Sequence, residues 1–235
     1  MAEHRTREEA TRLRFDEAAA SYDTQFVRFI GRYDEMHGVM VDLARGLRPE
    51  ARRFLDLGTG TGEVARRVLE VFPSSSVHAV DISEGMVEQA RAKLSSYGER
   101  FTCEVAGLAD YAPRQIPPYD AVVSALAIHH LAHEDKRRLT LRACAALAEG
   151  GLFLNADLVN GETDLEREML LVLYVESMRA RGLSGEEIEE RLLRHREHDI
   201  PATISDQTLW LKEAGCRDVF VPWRYLIQAI IVGVR

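Results

Sequence analysis

Two aspartates and a group of glycines stand where short apolar segments of the chain end. Asp56 lies in a short apolar run that stops at the glycine-rich residues 58–62, and Asp81 ends the next apolar run, 21 residues after Gly60. Glycines at the carboxyl end of a strand let a ligand approach the backbone closely. Carboxylates there attract cationic groups and accept hydrogen bonds from hydroxyls. The pattern predicts a pocket for a small cationic ligand that carries hydroxyl groups.

The spacing of the glycines argues against a phosphate ligand. A dinucleotide-binding fingerprint would require a glycine where Glu63 stands, and no Gly-Lys-Ser/Thr sequence follows to form a Walker phosphate loop. Carboxylates at positions 56 and 63 would also repel a diphosphate. Asp81 follows the glycines at the distance typical of an acid that binds ribose hydroxyls. A ligand with an ammonium group and a ribose but no phosphate satisfies all three points, and S-adenosylmethionine is such a ligand.

The elements that must position these residues alternate between strand and helix. Apolar runs predict strands at 53–57, 77–81, 101–105, 121–124 and 151–157, with helical periodicity after most of them. This alternation predicts an α/β fold with a doubly wound, mostly parallel sheet. Helices are predicted before the sheet at 15–22 and 26–47, and a helical pair broken at Gly182 over 163–198. A last helix at 207–214 precedes two strands, at 219–223 and 225–234.

Length and composition favour one domain. The chain has 235 residues, 46% of them hydrophobic, and no internal repeat or low-complexity segment divides it. We predict a single domain, 1–235, with four parts: N-terminal helices (1–50), a ligand-binding core (51–158), a helical insertion (163–200) and a C-terminal helix with a strand hairpin (201–235).

Charge and cysteine content exclude several classes of partner. Thirty Lys and Arg stand against 38 Asp and Glu, a net charge of −8, which disfavours nucleic acid as a partner. No apolar run approaches the roughly 20 residues of a membrane span, and the N-terminus lacks a secretory signal, so a cytoplasmic protein is predicted. Cys103, Cys144 and Cys216 are too far apart in sequence to suggest a thiolate metal site, and we interpret them as small apolar residues.

Three segments of the chain resemble motifs of the class I S-adenosylmethionine-dependent methyltransferases. Residues 54–62 (FLDLGTGTG) and 80–86 (VDISEGM) are similar to the first two motifs of that family, and residues 120–131 (DAVVSALAIHHL) to its fourth-strand motif. Residues 15–23 are similar to the lid segment of small bacterial members, and residues 209–215 to the helix before their last two strands. The resemblance implies a seven-stranded Rossmann-like sheet, with N-terminal lid helices and the helical insertion after strand 5.

The resemblance also implies which residues contact the cofactor S-adenosylmethionine. Asp56 would face its ammonium group, Asp81 its ribose diol, and Ile82 and Met86 its adenine. In relatives an Asp often stands beside the adenine amino group. Here either backbone groups of Gly107 and Leu108 or the side chain of Asp110 would take that place. The full predicted set is Tyr33, Asp56, Gly58, Thr59, Gly60, Gly62, Asp81, Ile82, Met86, Gly107, Leu108, Ser124 and Ala125.

Three residues are candidates for a catalytic role. His129 and His130 follow the fourth strand and Asp157 ends the fifth, where a base or an orienting group would reach an acceptor. Structural support of the loop is the alternative, because methyl transfer to a nucleophilic acceptor depends mainly on positioning. His195 and His198 suggest a metal site, but no third ligand is evident, so a solvated helix face is preferred and no metal is predicted.

These observations predict an S-adenosylmethionine-dependent methyltransferase that acts on a small molecule and releases S-adenosylhomocysteine. One alternative is a carboxy-S-adenosylmethionine synthase, which needs a cation such as Arg194, Arg196 or Arg224 to hold the added carboxylate. The other is a non-catalytic module that binds the cofactor and a protein partner. The insertion at 163–198 is the candidate acceptor pocket or homodimer contact.

Overall fold

A seven-stranded sheet forms the centre of the computed structural model, which describes residues 2–113 and 116–235, with side chains from residue 8 onward. The strand order is β3-β2-β1-β4-β5-β7-β6, with β1 to β5 parallel and β7 antiparallel to both of its neighbours. The strands are β1 Arg53–Leu57, β2 Ser76–Asp81, β3 Phe101–Val105, β4 Tyr119–Ala125, β5 Leu147–Leu158, β6 Asp218–Tyr225 and β7 Gln228–Val234. The predicted doubly wound, mostly parallel α/β sheet is confirmed.

Helices cover both faces of the sheet. They are α1 Ala2–Ala18, α2 Tyr22–Gln25, α3 Tyr33–Leu47, α4 Glu63–Val71, α5 Glu84–Lys93, α6 His133–Ala145, α7 Asp164–Ala180, α8 Gly185–His198 and α9 Ile204–Glu213. Neighbouring residues of β1 show why two layers form: Phe54 packs into one buried cluster and Leu55 into another. Alternating side chains of a strand point to opposite faces, so a run that is apolar throughout must be covered on both.

The N-terminal helices differ from the prediction. The periodicity over 26–47 predicted one helix, but α3 begins only at Tyr33, because Arg32 has a left-handed backbone with φ 55°. The residue before it, Gly31, lies against the ring of Tyr225, where a Cβ atom would come within 2.8 Å of the ring. The first helix also differs from the prediction, because α1 begins at Ala2, well before the predicted start at residue 15.

The insertion and the C-terminal hairpin agree with the prediction. The insertion is formed by α7 and α8, which separate near Gly182, a residue with φ 84°. Ser184 begins α8 with a capping box, in which its hydroxyl and the carboxylate of Glu187 satisfy each other's backbone N–H groups. No helix in the described part of the chain is both long and apolar enough to span a membrane.

Candidate functional site

A cavity of about 870 Å³ opens at the carboxyl ends of β1, β2 and β4, under a roof formed by residues of α1, α2 and α3. Its volume is within the range usual for small-molecule sites. It brings together most of the residues predicted to contact the cofactor, namely Tyr33, Gly58, Thr59, Gly60, Asp81, Ile82, Met86, Leu108 and Ala125. Burial raises the pKa of Tyr22 in the roof to about 12, so its phenol stays protonated at neutral pH.

Gly58, Gly60 and Gly62, after β1, all have positive φ angles, between 54° and 85°. The surroundings of a Cβ atom, however, differ at the three positions. A Cβ atom on Gly58 would lie 2.2 Å from Cβ of Ala127, in the loop after β4. On Gly62 it would lie 2.9 Å from a methyl group of Leu94, where α4 packs on the end of α5. On Gly60 it would meet no atom within 4 Å, because this residue lines the cavity.

Asp81 ends β2 with its carboxylate at the cavity wall. One oxygen, Oδ2, accepts the backbone N–H of Gly60 at 2.8 Å, and Oδ1 accepts that of Ser83 at 2.9 Å. Burial raises the pKa of Asp81, and these amide groups offset that effect only in part. Each carboxylate oxygen can accept more than one hydrogen bond, so Asp81 retains acceptor capacity toward the cavity.

Asp56 lies behind the glycine loop and does not line the cavity. Its side chain is fully buried, Oδ2 accepts the hydroxyl of Thr59 at 2.7 Å, and Oδ1 has no partner. Burial raises the pKa of Asp56 to about 7, against an ordinary value of 3.8. In this structure Asp56 therefore orients Thr59, which does line the cavity.

We expect the contribution of Asp56 to the stability of the protein to fall as the pH rises from 4 to 7, and Asp56→Asn to remove that pH-dependent contribution. The unfolded chain ionises Asp56 near pH 4, whereas the folded chain holds the proton until about pH 7. The contribution of Asp56 to the free energy of unfolding therefore falls by about 4 kcal/mol across this interval. Urea unfolding of both proteins at several pH values measures the difference. Parallel curves for the two would contradict the proposed burial of a neutral carboxyl.

Three other predicted cofactor residues also lie outside the wall. Gly62 packs on α5, and Gly107 lies under Glu8 of α1. The hydroxyl of Ser124 is buried and donates to the carbonyl of Leu57, joining β4 to β1. Their contacts are with the protein itself, and any effect on a ligand would be indirect.

The candidate catalytic residues separate into one at the cavity and two behind it. The ring of His130 lines the cavity, whereas His129 and Asp157 are buried beside it. Asp157 accepts the backbone N–H of His129 at 2.9 Å, and its other oxygen lies 2.5 Å from the ring atom Nδ1. Burial lowers the pKa of His129, but the charges of Asp157 and Asp199 outweigh it and raise the value to about 9. Burial and the nearby His129 lower the pKa of His130 to about 4.

Asp199, just after α8, is a buried partner of both histidines that the sequence analysis did not identify. Its Oδ2 accepts from Arg191 at 3.1 Å and lies 2.9 Å from Nδ1 of His195. The solvated helix face predicted for His195 is therefore wrong, because its ring faces a buried carboxylate. The spacing of Arg191, His195 and Asp199, four residues apart, indicated contact among these three residues but not with His129 or His130.

Other wall residues were also missed by sequence reasoning. His37 stands one helical turn after Tyr33, and its Nδ1 lies 2.8 Å from that residue's carbonyl oxygen. Glu63 follows the last glycine, at the start of α4. The end of the insertion adds three more residues to the wall, Glu197, His198 and Ile200.

Two aspartates attach the N-terminal lid segment to the cavity wall. Asp16 of α1 accepts the hydroxyl of Ser83 at 2.6 Å and the backbone N–H of Gly85 at 3.1 Å, at the start of α5. Asp23 of α2 accepts the hydroxyl of Thr61 at 2.6 Å and the ammonium of Lys93 at 2.6 Å. The lid segment is thus held to both loops that carry the predicted cofactor residues.

We expect Asp16→Asn to open the lid and to raise the dissociation rate constant of a ligand in the cavity about tenfold. The substitution replaces the charged acceptor of two hydrogen bonds, which contributes about 1.5 kcal/mol. Stopped-flow displacement of S-adenosylhomocysteine would measure this rate. Asp42→Asn is the matched control, because Asp42 pairs only with Arg45 on the exposed side of α3. An unchanged rate would mean that α1 does not move when the ligand leaves.

The part of the chain that forms most of the cavity matches known proteins in sequence. Residues 54–151 match the family model described as a methyltransferase domain. The carboxy-S-adenosyl-L-methionine synthase of Nautilia profundicola is 21% identical over 222 residues, 94% of each chain. The malonyl-[acyl-carrier protein] O-methyltransferase of Geobacter sulfurreducens is 37% identical over 110 residues, 47% of this chain and 39% of that protein.

Solved structures show the same fold. The magnesium protoporphyrin IX methyltransferase (ChlM) of Synechocystis, solved with bound SAH, superposes with a TM-score of 0.65 at 15% identity and covers 97% of this chain and 99% of its own. The motif residues lie around one cavity within the matched sequence. Residues 54–151 are a methyltransferase domain, and the chain resembles S-adenosylmethionine-dependent enzymes in sequence and in fold.

Proposed function

We propose that the protein transfers a methyl group from S-adenosylmethionine to a small acceptor that is neutral or cationic, releasing S-adenosylhomocysteine. The observation that carries the proposal is the placement of Asp81 beside Gly60: a buried carboxylate with spare acceptor capacity next to backbone that is open to the cavity. A ribose diol is the group that this carboxylate suits, since it offers two adjacent donors.

Different residues of the cavity wall would bind different parts of the cofactor. Asp81 would hold the ribose, the backbone of residues 58–60 the methionine part, and Ile82, Met86 and Leu108 the adenine. When bound, the cofactor supplies a methyl group activated by its sulfonium. Asp56 would act through Thr59, by fixing the loop that contacts the ligand.

The charge of the wall supports the proposed class of acceptor. Among the described residues that line the cavity, acids are present and neither lysine nor arginine is found. Burial raises the pKa of Glu63, but hydrogen bonds from Arg66 and Arg67 outweigh it and bring the value to about 2, so this acid is ionised. An anionic acceptor would meet no lysine or arginine side chain on this wall to compensate its charge.

Among the candidate catalytic residues, we assign contact with the acceptor to His130, whose ring lines the cavity. His129 and Asp157 would fix the position of His130 from behind, through their own hydrogen bonds. Orientation and exclusion of water by this wall and the lid would provide most of the rate acceleration.

The proposal is tested by incubating the full chain with S-adenosylmethionine labelled in the methyl group. Small alcohols, phenols and amines serve as acceptors and small carboxylic acids as the contrast. We expect label in the first group and S-adenosylhomocysteine in equal amount. Transfer to the acids alone would overturn the acceptor class, and failure to bind S-adenosylhomocysteine at millimolar concentration would overturn the function.

A carboxy-S-adenosylmethionine synthase remains the second candidate, since one such enzyme matches 94% of the chain. The cations considered for its carboxylate lie elsewhere: Arg194 stacks on Phe26 and Arg224 pairs with Glu166. Mass spectrometry of the ligand that copurifies decides between the two, because only the synthase would carry a carboxylated sulfonium.

The proposed assembly is a cytoplasmic homodimer of one-domain chains. An apolar stripe on α7 supports the dimer, since Leu165, Met169 and Val172 are 68%, 56% and 57% exposed and lie on neighbouring turns. Sedimentation of the native protein and of Met169→Asp measures the association. A native monomer at all concentrations would contradict it.

A further inference from the structure

His129, His130 and Asp199 bring three potential metal ligands together in the described part of the chain. We propose that this cluster is a binding site for one divalent transition-metal ion, held by Nε2 of His129, Nδ1 of His130 and Oδ1 of Asp199. The three ligand atoms lie within 4.8 Å of one another. Both ring nitrogens face the same carboxylate oxygen, so the three atoms surround a common point.

The distances match metal coordination better than hydrogen bonds. The oxygen Oδ1 of Asp199 lies 3.6 Å from Nε2 of His129 and 3.4 Å from Nδ1 of His130. Protein N–H to oxygen hydrogen bonds cluster near 2.9 Å, so both contacts are long for a shared proton. Ligand atoms placed about 2.1 Å from a tetrahedral metal are about 3.4 Å apart. A metal ion fills this gap without moving the ligands far.

Surrounding side chains orient two of the three ligands, His129 and Asp199, as an outer coordination shell does. Asp157 lies 2.5 Å from Nδ1 of His129, which leaves Nε2 directed to the cluster. Arg191 and His195 contact Oδ2 of Asp199, which leaves Oδ1 for the ion. Carboxylate-to-histidine contacts of this kind orient the ring and raise its basicity as a ligand.

The chemistry of the ligands selects the class of metal. Two imidazoles and one carboxylate suit Zn²⁺, Fe²⁺, Co²⁺ or Mn²⁺, whereas Mg²⁺ and Ca²⁺ prefer oxygen ligands. Three protein ligands leave at least one coordination position open. His130 lines both the main cavity and the smaller one that holds Asp199, of about 50 Å³, so the ion would lie beside the acceptor as a Lewis acid. This use rests on the proposed function, but the binding of the ion does not.

Three groups compete with the ion. The carbonyl oxygen of His198 lies 3.4 Å from Nδ1 of His130, and this contact is lost when Nδ1 binds a metal. The other two groups can be tested by experiment. A proton on Nε2 of His129 would be released when the metal binds. Arg14 of α1 lies 3.4 Å from Nε2 of His130, and this nitrogen carries a proton once Nδ1 binds a metal. Because two donors then face each other, the guanidinium must move away. Arg14→Gln should therefore strengthen metal binding.

The experiment uses the full chain after removal of metals with a chelator, titrated with Co²⁺ and followed by visible absorption and calorimetry. We expect one ion per chain. His129→Asn and Asp199→Asn should each weaken binding by about 100-fold or more, because each loses one of three ligands. His78→Asn is the matched control, since His78 lies on β2 and contacts Thr102 and Glu104 of β3, two strands away from β4.

Each outcome either supports or overturns the site. Absence of a saturable absorption band, or variants that bind Co²⁺ as the native protein does, would overturn it and leave the cluster a hydrogen-bonded network of charges. Thermal unfolding and S-adenosylhomocysteine binding on the same samples identify a variant that has failed to fold. In that case the test is the affinity of Arg14→Gln for Co²⁺, which should exceed that of the native protein. Retained S-adenosylhomocysteine binding without metal binding would refute this site and leave the proposed function intact.

Discussion

Replacing Asp81 with Asn is expected to weaken S-adenosylhomocysteine binding about 100-fold, or about 3 kcal/mol. The carboxylate already accepts the N–H groups of Gly60 and Ser83 and would accept the ribose diol as well. An amide has one acceptor oxygen, and its NH₂ group would face a backbone donor. The variant therefore loses ligand hydrogen bonds and loosens the loop that contacts the ligand. Isothermal titration calorimetry at neutral pH measures the change in dissociation constant.

Ser76→Ala, at the exposed start of the same strand, controls for general effects on β2. It should bind as the native protein does, and both variants should show similar cooperative unfolding. An Asp81→Asn protein that folds and binds S-adenosylhomocysteine with native affinity would remove Asp81 from the site, and with it the main support for the proposed function.

The parts of the site that were predictable from sequence depend on local chemistry. Gly60 and Asp81 stand at strand ends, and in a parallel sheet the carboxyl ends of strands meet at one edge. Their proximity thus follows once strands and helices are recognised. Ile82, Met86 and Leu108 were predicted from the resemblance to methyltransferases, and they line the same cavity.

The parts that were not predictable depend on contacts between distant segments. Asp199 meets His129 only because α8 folds back over the end of β4, and nothing in either segment alone indicates that contact. Asp56 stands at a strand end, as predicted, and that position suits a ligand contact. Its side chain nevertheless turns inward to Thr59, because strand position alone does not fix the direction of a side chain at a turn.

The N-terminal helices were misjudged because periodicity does not report backbone breaks. Apolar residues continue at helical spacing through 26–47, yet the chain turns at Arg32, where contact of Gly31 with Tyr225 and stacking of Arg32 on the same ring outweigh helix propensity. The break matters for function, since it sets where α3 begins and so directs Tyr33 to the cavity.

The largest loss of stability is expected for Gly58→Ala, about 4 kcal/mol, with no measurable S-adenosylhomocysteine binding. A left-handed φ of 73° costs an alanine about 1 to 2 kcal/mol. The new methyl group would also lie 2.2 Å from Cβ of Ala127, so the loop after β1 or the loop after β4 must move. Such overpacking adds about 1 to 3 kcal/mol. Chemical unfolding and calorimetry measure the two effects.

Two further substitutions separate the causes of that loss. Gly60→Ala shares the positive φ, at 54°, but its methyl group meets no atom within 4 Å, so it should lose only about 1 kcal/mol of stability. In the double variant Gly58→Ala/Ala127→Gly the clashing methyl group is removed, and the nearest remaining contacts, 3.6 and 3.7 Å, are ordinary. We expect this variant to recover roughly half of the lost stability. Equal destabilisation by Gly58→Ala and Gly60→Ala, with no recovery in the double variant, would show that backbone conformation alone requires glycine here and that contact between the β1 and β4 loops does not shape the cavity.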